Sequence, residues 1–151
     1  MSDHLRRSPL DPAALAQAVS SPGHGAVVTF VGVVRDHHAG RGVIRLDYSA
    51  YEPMADAECA RILAEAAARW PVTARVEHRV GSLAVGDAAV VVAVAGAHRG
   101  EAFDACRWII DEVKRCVPIW KREEYADGTV AWVDPTAPGG TMPAAGATER
   151  P

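Results

Sequence analysis

The run from Ala88 to Gly96 constrains the fold of this chain more than any other segment. It reads AAVVVAVAG, an unbroken apolar stretch dominated by valine. Gly86-Asp87 punctuates it on one side and His98-Arg99 on the other. That length and that β-branched content predict a strand, and a continuous apolar run predicts a buried one. With Ala97 it is the longest apolar run in the chain, well short of the roughly 20 residues that a membrane-spanning helix requires.

The remaining periodicities build outward from that strand. Asp11-Pro12 reads as an N-cap followed by proline at the first helical position, opening a short helix to Val19. Ala26 to Val34 is a second near-continuous apolar run and reads as a buried strand; Val43 to Tyr51 alternates and reads as another. The polar, glycine-containing loop 35–42 between them suggests a hairpin with a long, mobile tip. Pro53 opens a helix that runs to Trp70, with Met54, Ala57 or Glu58, Ile62, Ala66 and Trp70 near helical spacing. Val72 to Val80 alternates as a half-buried strand, and Gly81 to Asp87 reads as a turn. Glu101 to Cys116 carries an apolar stripe of Ala102, Phe103, Cys106, Ile109, Ile110, Val113 and Val117, and Pro118 ends the helix. Segments 119–125 and 129–134 form a final hairpin turning at Asp127-Gly128. Helices mixed with hairpins predict an α+β fold, a two-layer sandwich with helices on one face of a mainly antiparallel sheet.

The chain's 151 residues favour a single domain, expected over 1–134. The composition changes after Asp134 to Pro, Gly, Ala and Thr without apolar period, so 135–151 is expected to be a disordered tail. The formal net charge of −3 argues against a nucleic-acid binder, which needs a broad basic face. No apolar core of a signal peptide follows the initial methionine, and the expected compartment is the cytoplasm. Cys59, Cys106 and Cys116 are odd in number and form no C-x-x-C pair, which suggests neither a disulfide framework nor a zinc site. Neither a metal nor any other cofactor is expected, since the adjacent His37-His38 lack a carboxylate or thiol partner at metal-ligand spacing.

A cation cluster stands out against the negative overall charge. Arg35 follows a buried strand and suits anion capture by its guanidinium fork, or is a solvated loop charge. His98 and Arg99 precede a helix whose first-turn N–H groups already favour an anion, although Glu101 competes for the same potential. Lys114 lies at the edge of an apolar face, and a lysine withdrawn from water among other cations becomes a proton acceptor or nucleophile near neutral pH. A snorkelling lysine near a helix C-terminus is the plainer alternative. Lys121, Arg122 and Glu123 follow Pro118 and Trp120. The common reading is a pocket for a small anion, a phosphate ester in particular.

Three segments taken together carry a family resemblance: FVGVVRDHHAGRGVIRLDYSAYEPMA (30–55), HRVGSLAVGDAAVVVAVAGAHRGEAFDACRWIIDEVK (78–114) and PIWKRE (118–123). The chain resembles the large, catalytic subunit of molybdopterin synthase from about Gly25 to Val133. The resemblance implies a hammerhead-like sandwich with an additional β-hairpin subdomain. It implies an enzyme that transfers sulfur to cyclic pyranopterin monophosphate, forming the dithiolene of molybdopterin. The sulfur would arrive as a thiocarboxylate on the C-terminal Gly-Gly of a small ubiquitin-like partner, whose tail enters a pocket on this chain. It also implies a homodimer at the core of a heterotetramer, with the neighbouring large subunit contributing to a pocket. Matched by motif, Arg35, His98 and Arg99 would contact the phosphate and pterin, while Lys114 and Lys121 would be catalytic as well as substrate-binding, with Arg122 and Glu123 completing the K-R-E segment. Two alternatives stand beside this: a non-catalytic module that binds a phosphorylated small molecule or a ubiquitin-like tail, and a thiol enzyme using Cys116.

Overall fold

The computed structural model describes residues 2–133, so the expected tail at 135–151 lies outside the described residues. Nine strands and three helices are described, in the order β1 (Leu5–Arg6), α1 (Pro12–Val19), β2 (Ala26–Val33), β3 (His37–His38), β4 (Arg41–Ala50), α2 (Glu52–Arg69), β5 (Val72–Arg79), β6 (Gly81–Ala84), β7 (Ala88–Gly96), α3 (Arg99–Cys116), β8 (Ile119–Tyr125) and β9 (Val130–Val133). They make two sheets. One has the order β1-β5-β7-β2; the other runs β3-β4-β8-β9, with β6 paired to β4. All pairings are antiparallel except the short β1–β5 ladder. The α+β class with a mainly antiparallel sheet is as expected.

β7 is apolar throughout because both of its faces are covered. Val90, Val92 and Val94 pack into one cluster with Ala55, Cys59 and Ile62 of α2 and Ile109 of α3. Val91, Ala93 and Ala95 pack on the opposite face against Leu15 and Val19 of α1. Helices therefore lie on both faces of this sheet, not on one face only. Asp11 caps α1 as its sequence predicts, its side chain accepting from the Ala14 N–H at 3.1 Å.

Four details depart from the sequence reading. β2 and β4 do not pair as a hairpin: β2 pairs only with β7, and β4 joins the second sheet through β6 and β8. The expected long tip is instead a tight β3–β4 hairpin, with Ala39 at φ 52° and Gly40 at φ 79° between the strands. Two positive-φ residues in a two-residue turn match the twist of the flanking strands. Residues 81–84, read as a turn, form β6. The buried stripe of α2 is Ala55, Cys59, Ile62 and Ala66; Met54 is half-exposed, as is Phe103 on α3.

Candidate active site

The two sheets meet α3 at a cleft between Val90 on β7, Tyr48 on β4 and Lys121 on β8. Local sequence brings three cations there. Pro118 stops α3 and the Ile119 N–H donates to the Val117 carbonyl at 2.8 Å, so the chain turns from helix into β8 within a few residues. Lys114, in the last turn of α3, and Lys121, on β8, thereby line the same cleft. Lys121 sits directly across from Tyr48 on β4. Arg35 arrives from β2. The β2 register shifts between Gly32 and Val33, a bulge that turns the strand end toward the cleft. Gly32 is required at that bend, since a Cβ there would stand 2.7 Å from Val90 Cγ1. This gives the glycine of the F-x-G-x-V-R segment a steric reason.

The cleft has two parts. The inner part is narrow and apolar, walled by Val90, Ile110, Val113, Val117 and Ile119, with Tyr48, His78 and both lysines. The outer part is polar, with Arg35, His37 and Glu123. Its balance of charge is positive. Withdrawal from water, followed by the charges of Lys121 and Arg35, pulls the Lys114 amine below its ordinary pKa. As a residue Lys114 stays solvent-accessible, so that withdrawal is partial. Lys121 is lowered by burial and by Arg35, with Glu123 opposing. Two amines near each other, each eased toward the neutral form, can exchange protons at lower cost than free lysines.

His78 and Tyr48 were not singled out by sequence. His78 occupies an inward position of β5 that alternation alone reads as core. Its Nδ1 lies 2.8 Å from the Arg79 carbonyl oxygen, and its ring meets Tyr48 edge-on at 4.9 Å. Burial drives its pKa down to about 4, against the Arg79 hydrogen bond and with help from Lys114. A neutral imidazole whose Nδ1–H donates to Arg79 leaves Nε2 as an acceptor. Burial and Glu123 push the Tyr48 phenol up to about 12.

Three expected site residues fall elsewhere. His98 and Arg99 stand exposed at the N-terminal end of α3, where Glu101 accepts the His98 N–H at 2.8 Å. Fifteen helical steps separate Arg99 from Lys114, about 22 Å at the rise of an α-helix, so one chain cannot close both around a small ligand. Arg122 points away from the cleft, because successive strand residues face opposite sides; it pairs with Asp47 across the ladder at 3.3 Å. Glu123 does line the cleft, but its carboxylate is 3% exposed and fully engaged by protein groups, so it is not available as a direct substrate ligand. Its Oε1 lies 2.5 Å from His38 Nδ1 and accepts from the Tyr125 hydroxyl at 2.8 Å; its Oε2 lies 3.8 Å from Lys121 Nζ. His37 turns instead to Asp36, so the two adjacent imidazoles diverge. Cys116 neighbours Arg61 and Arg115 and is absent from the cleft lining, which gives thiol chemistry there no support.

The family model described as "MoaE protein" matches residues 5–116. The molybdopterin synthase catalytic subunit of Pyrococcus abyssi is 48% identical over 117 residues, spanning 77% of this chain and 78% of that protein. The crystal structure of molybdopterin synthase from Staphylococcus aureus superposes with a TM-score of 0.82 at 35% identity, covering 85% of this chain and 94% of that one. A complex of subunits 1 and 2 of molybdopterin-converting factor from Helicobacter pylori, at 22% identity and TM-score 0.67, shares the fold over 82% of this chain and 85% of its own. The Phe30–Arg35 strand end, the Ala97–Arg99 segment and the lysine-bearing end of α3 thus occur on the fold that those proteins share, and the chain belongs to the MoaE family.

Proposed function

We propose that the Lys114–Lys121 cleft carries out sulfur transfer in molybdopterin synthase. In this reading, sulfur moves from the C-terminal thiocarboxylate of a small ubiquitin-like partner to cyclic pyranopterin monophosphate. One observation carries it: two partly desolvated amines and Arg35 share a cleft that continues into a narrow apolar channel. A small, mostly apolar recess suits a slender glycine tail, which has no side chain to exclude. The cations suit the two anions that must meet, thiocarboxylate and phosphate. Each transfer forms a carbon–sulfur bond on the pterin side chain as a carbon–oxygen bond breaks, one oxygen leaving on the opening phosphate and the other as water, and a further water then cleaves the acyl–sulfur bond, returning the partner as a carboxylate. Lys114 and Lys121 stabilise the developing anion and supply or take the proton as the cyclic phosphate opens.

His98 and Arg99 enter this site from a second copy of the chain. Support comes from β2, an outer strand of its sheet, and from the apolar surface beside it. Phe103 is 60% exposed and Phe30 36% exposed, and the two line one apolar surface between β2 and the helix that bears His98 and Arg99. An unpaired apolar edge of this kind is a ready pairing surface. No described helix is long and apolar enough to cross a membrane, and the described cysteines are free, which fits the cytoplasm as the compartment.

Reconstitution with thiocarboxylated partner and cyclic pyranopterin monophosphate tests the reading. Lys114→Ala is expected to lower product formation at least ~100-fold while circular dichroism and partner binding stay as in wild type. Wild-type turnover by that variant would move the chemistry elsewhere. No product from the wild type with a competent partner would leave a binding module.

A further inference from the structure

We propose that His38 is a positioning residue for Lys121, acting through Glu123, and that the charge on His38 sets how firmly Lys121 holds its proton. The proposal deepens the sulfur-transfer reading and rests on it for the part Lys121 plays in turnover.

Glu123 is the hinge of the arrangement. It is the least exposed charged group at the cleft, and its two oxygens serve different partners. Oε1 is held by His38 Nδ1 at 2.5 Å and by the Tyr125 hydroxyl at 2.8 Å, while Oε2 faces Lys121 Nζ at 3.8 Å. A carboxylate fixed on one side presents its other oxygen in a fixed direction, so the His38 bond aims Glu123 at Lys121. The His38 side chain is 21% exposed and sits at the outer end of this chain of contacts, where it can exchange protons with solvent. The fold holds it there. The Ala39-Gly40 turn folds β3 back on β4, and the Arg41 guanidinium lies 3.6 Å over the Tyr125 ring.

The electrostatic consequence follows from sharing. When His38 is neutral, the Glu123 charge acts mainly on Lys121 and favours its ammonium form. When His38 is protonated, two cations divide one buried carboxylate, and Lys121 releases its proton more readily. The groups that face this unit are few. They are Lys121 and Tyr125 on β8, Tyr48 and Arg41 on β4, His78 on β5, Lys114 on α3, and Arg35, Asp36 and His37 on the segment after β2. Among these, His37 is paired with exposed Asp36 and makes no hydrogen bond to Glu123. An imidazole reached by solvent can gain or lose a proton, so an outer ring can pass the solvent pH to an inner amine.

Competitive amine labelling of the full chain, with Lys121 followed by peptide mass spectrometry between pH 5 and 9, tests the coupling without partner or substrate. A lysine with a fixed pKa labels with unit slope in log rate against pH. Wild-type Lys121 is expected to lie at least about threefold above that line at the acid end, and His38→Gln is expected to restore the unit slope. His38→Asn gives the same reading should the Gln variant fold poorly. A unit slope in wild type, or an unchanged offset in both variants, overturns the proposal. Reconstituted turnover is the second arm. His38→Gln is expected to lower kcat at least about threefold with KM for the pterin within about twofold, and to lose the inflection that the outer imidazole gives the pH profile of wild-type kcat. A parallel rise in KM at unchanged kcat would overturn the positioning role. An acid-end offset in a wild type that makes no product would support the coupling and defeat the sulfur-transfer reading instead.

Discussion

Single residues at this site trade stability for function, and pH exposes the exchange. His78 is buried neutral with its pKa near 4, below the ordinary 6.5. Between those values the unfolded chain binds a proton that the folded chain does not, so stability falls as pH drops from 6.5 toward 4 and then levels. The full effect is about 3 kcal/mol. Urea unfolding from pH 7 to pH 4 should show a loss that His78→Gln reduces. The lysines follow the same charge logic in a more alkaline window. The Lys114 amine is lowered by burial first, then by Lys121 and Arg35, so its ammonium form opposes folding at neutral pH. Stability therefore rises with pH through the window between the lowered value and 10.5. Lys114→Met should raise Tm at neutral pH while abolishing turnover, with the gain shrinking as pH approaches 10.5. Lys114 and Lys121 stood out in sequence as amines beside a proline and an apolar stripe, but that pattern fits a snorkelling lysine as well, and their catalytic assignment is what the family resemblance implies. The roles of His38 and His78 were not legible, because they depend on a carboxylate and a carbonyl that only folding brings near.

At the scale of elements, the sequence reading succeeded where a segment's own pattern decides its state. Asp11-Pro12 opened α1, the alternation of 72–80 became β5, and the Asp127-Gly128 turn joined β8 to β9. It failed where pairing decides. β2 and β4 are consecutive long strands, which favours a hairpin, yet the β2 bulge and the short β3 strand redirect the chain into the second sheet. The same hairpin carries a cost in Ala39, a residue with a Cβ at positive φ. Ala39→Asn should stabilise the protein by roughly 0.5–1 kcal/mol, since asparagine tolerates the left-handed region better; chemical denaturation gives the value. On α2, the true stripe of Ala55, Cys59, Ile62 and Ala66 has mostly small side chains, which bring the helix close to β5 and α3. Ile62→Ala should cost about 2–5 kcal/mol, as expected where a large side chain leaves a close-packed core.

The whole molecule is where the site has to be completed. Lys114 and Arg99 lie at opposite ends of one helix, so the cation cluster seen in sequence cannot assemble within one chain. If a two-fold partner supplies His98 and Arg99, two inactive variants should rescue each other. Lys114→Ala mixed with Arg99→Ala, allowed to exchange subunits, should recover about a quarter of wild-type activity, since half the dimers are mixed and each mixed dimer has one intact site. Either variant alone should stay inactive, and a mixture without recovery would place both residues in one chain's site or exclude Arg99 altogether. Sequence by itself determined the three helices and the long strands, the apolar run that became β7 among them, and the identity of the chemical groups, because periodicity and residue type are local properties; the short β3 and β6 it did not. The tertiary structure alone decided which faces β7 buries, that Arg122 leaves the cleft while Glu123 holds Lys121, and that the two ends of α3 serve different places. Those outcomes depend on strand register and on distances between residues remote along the chain, and no local pattern encodes either.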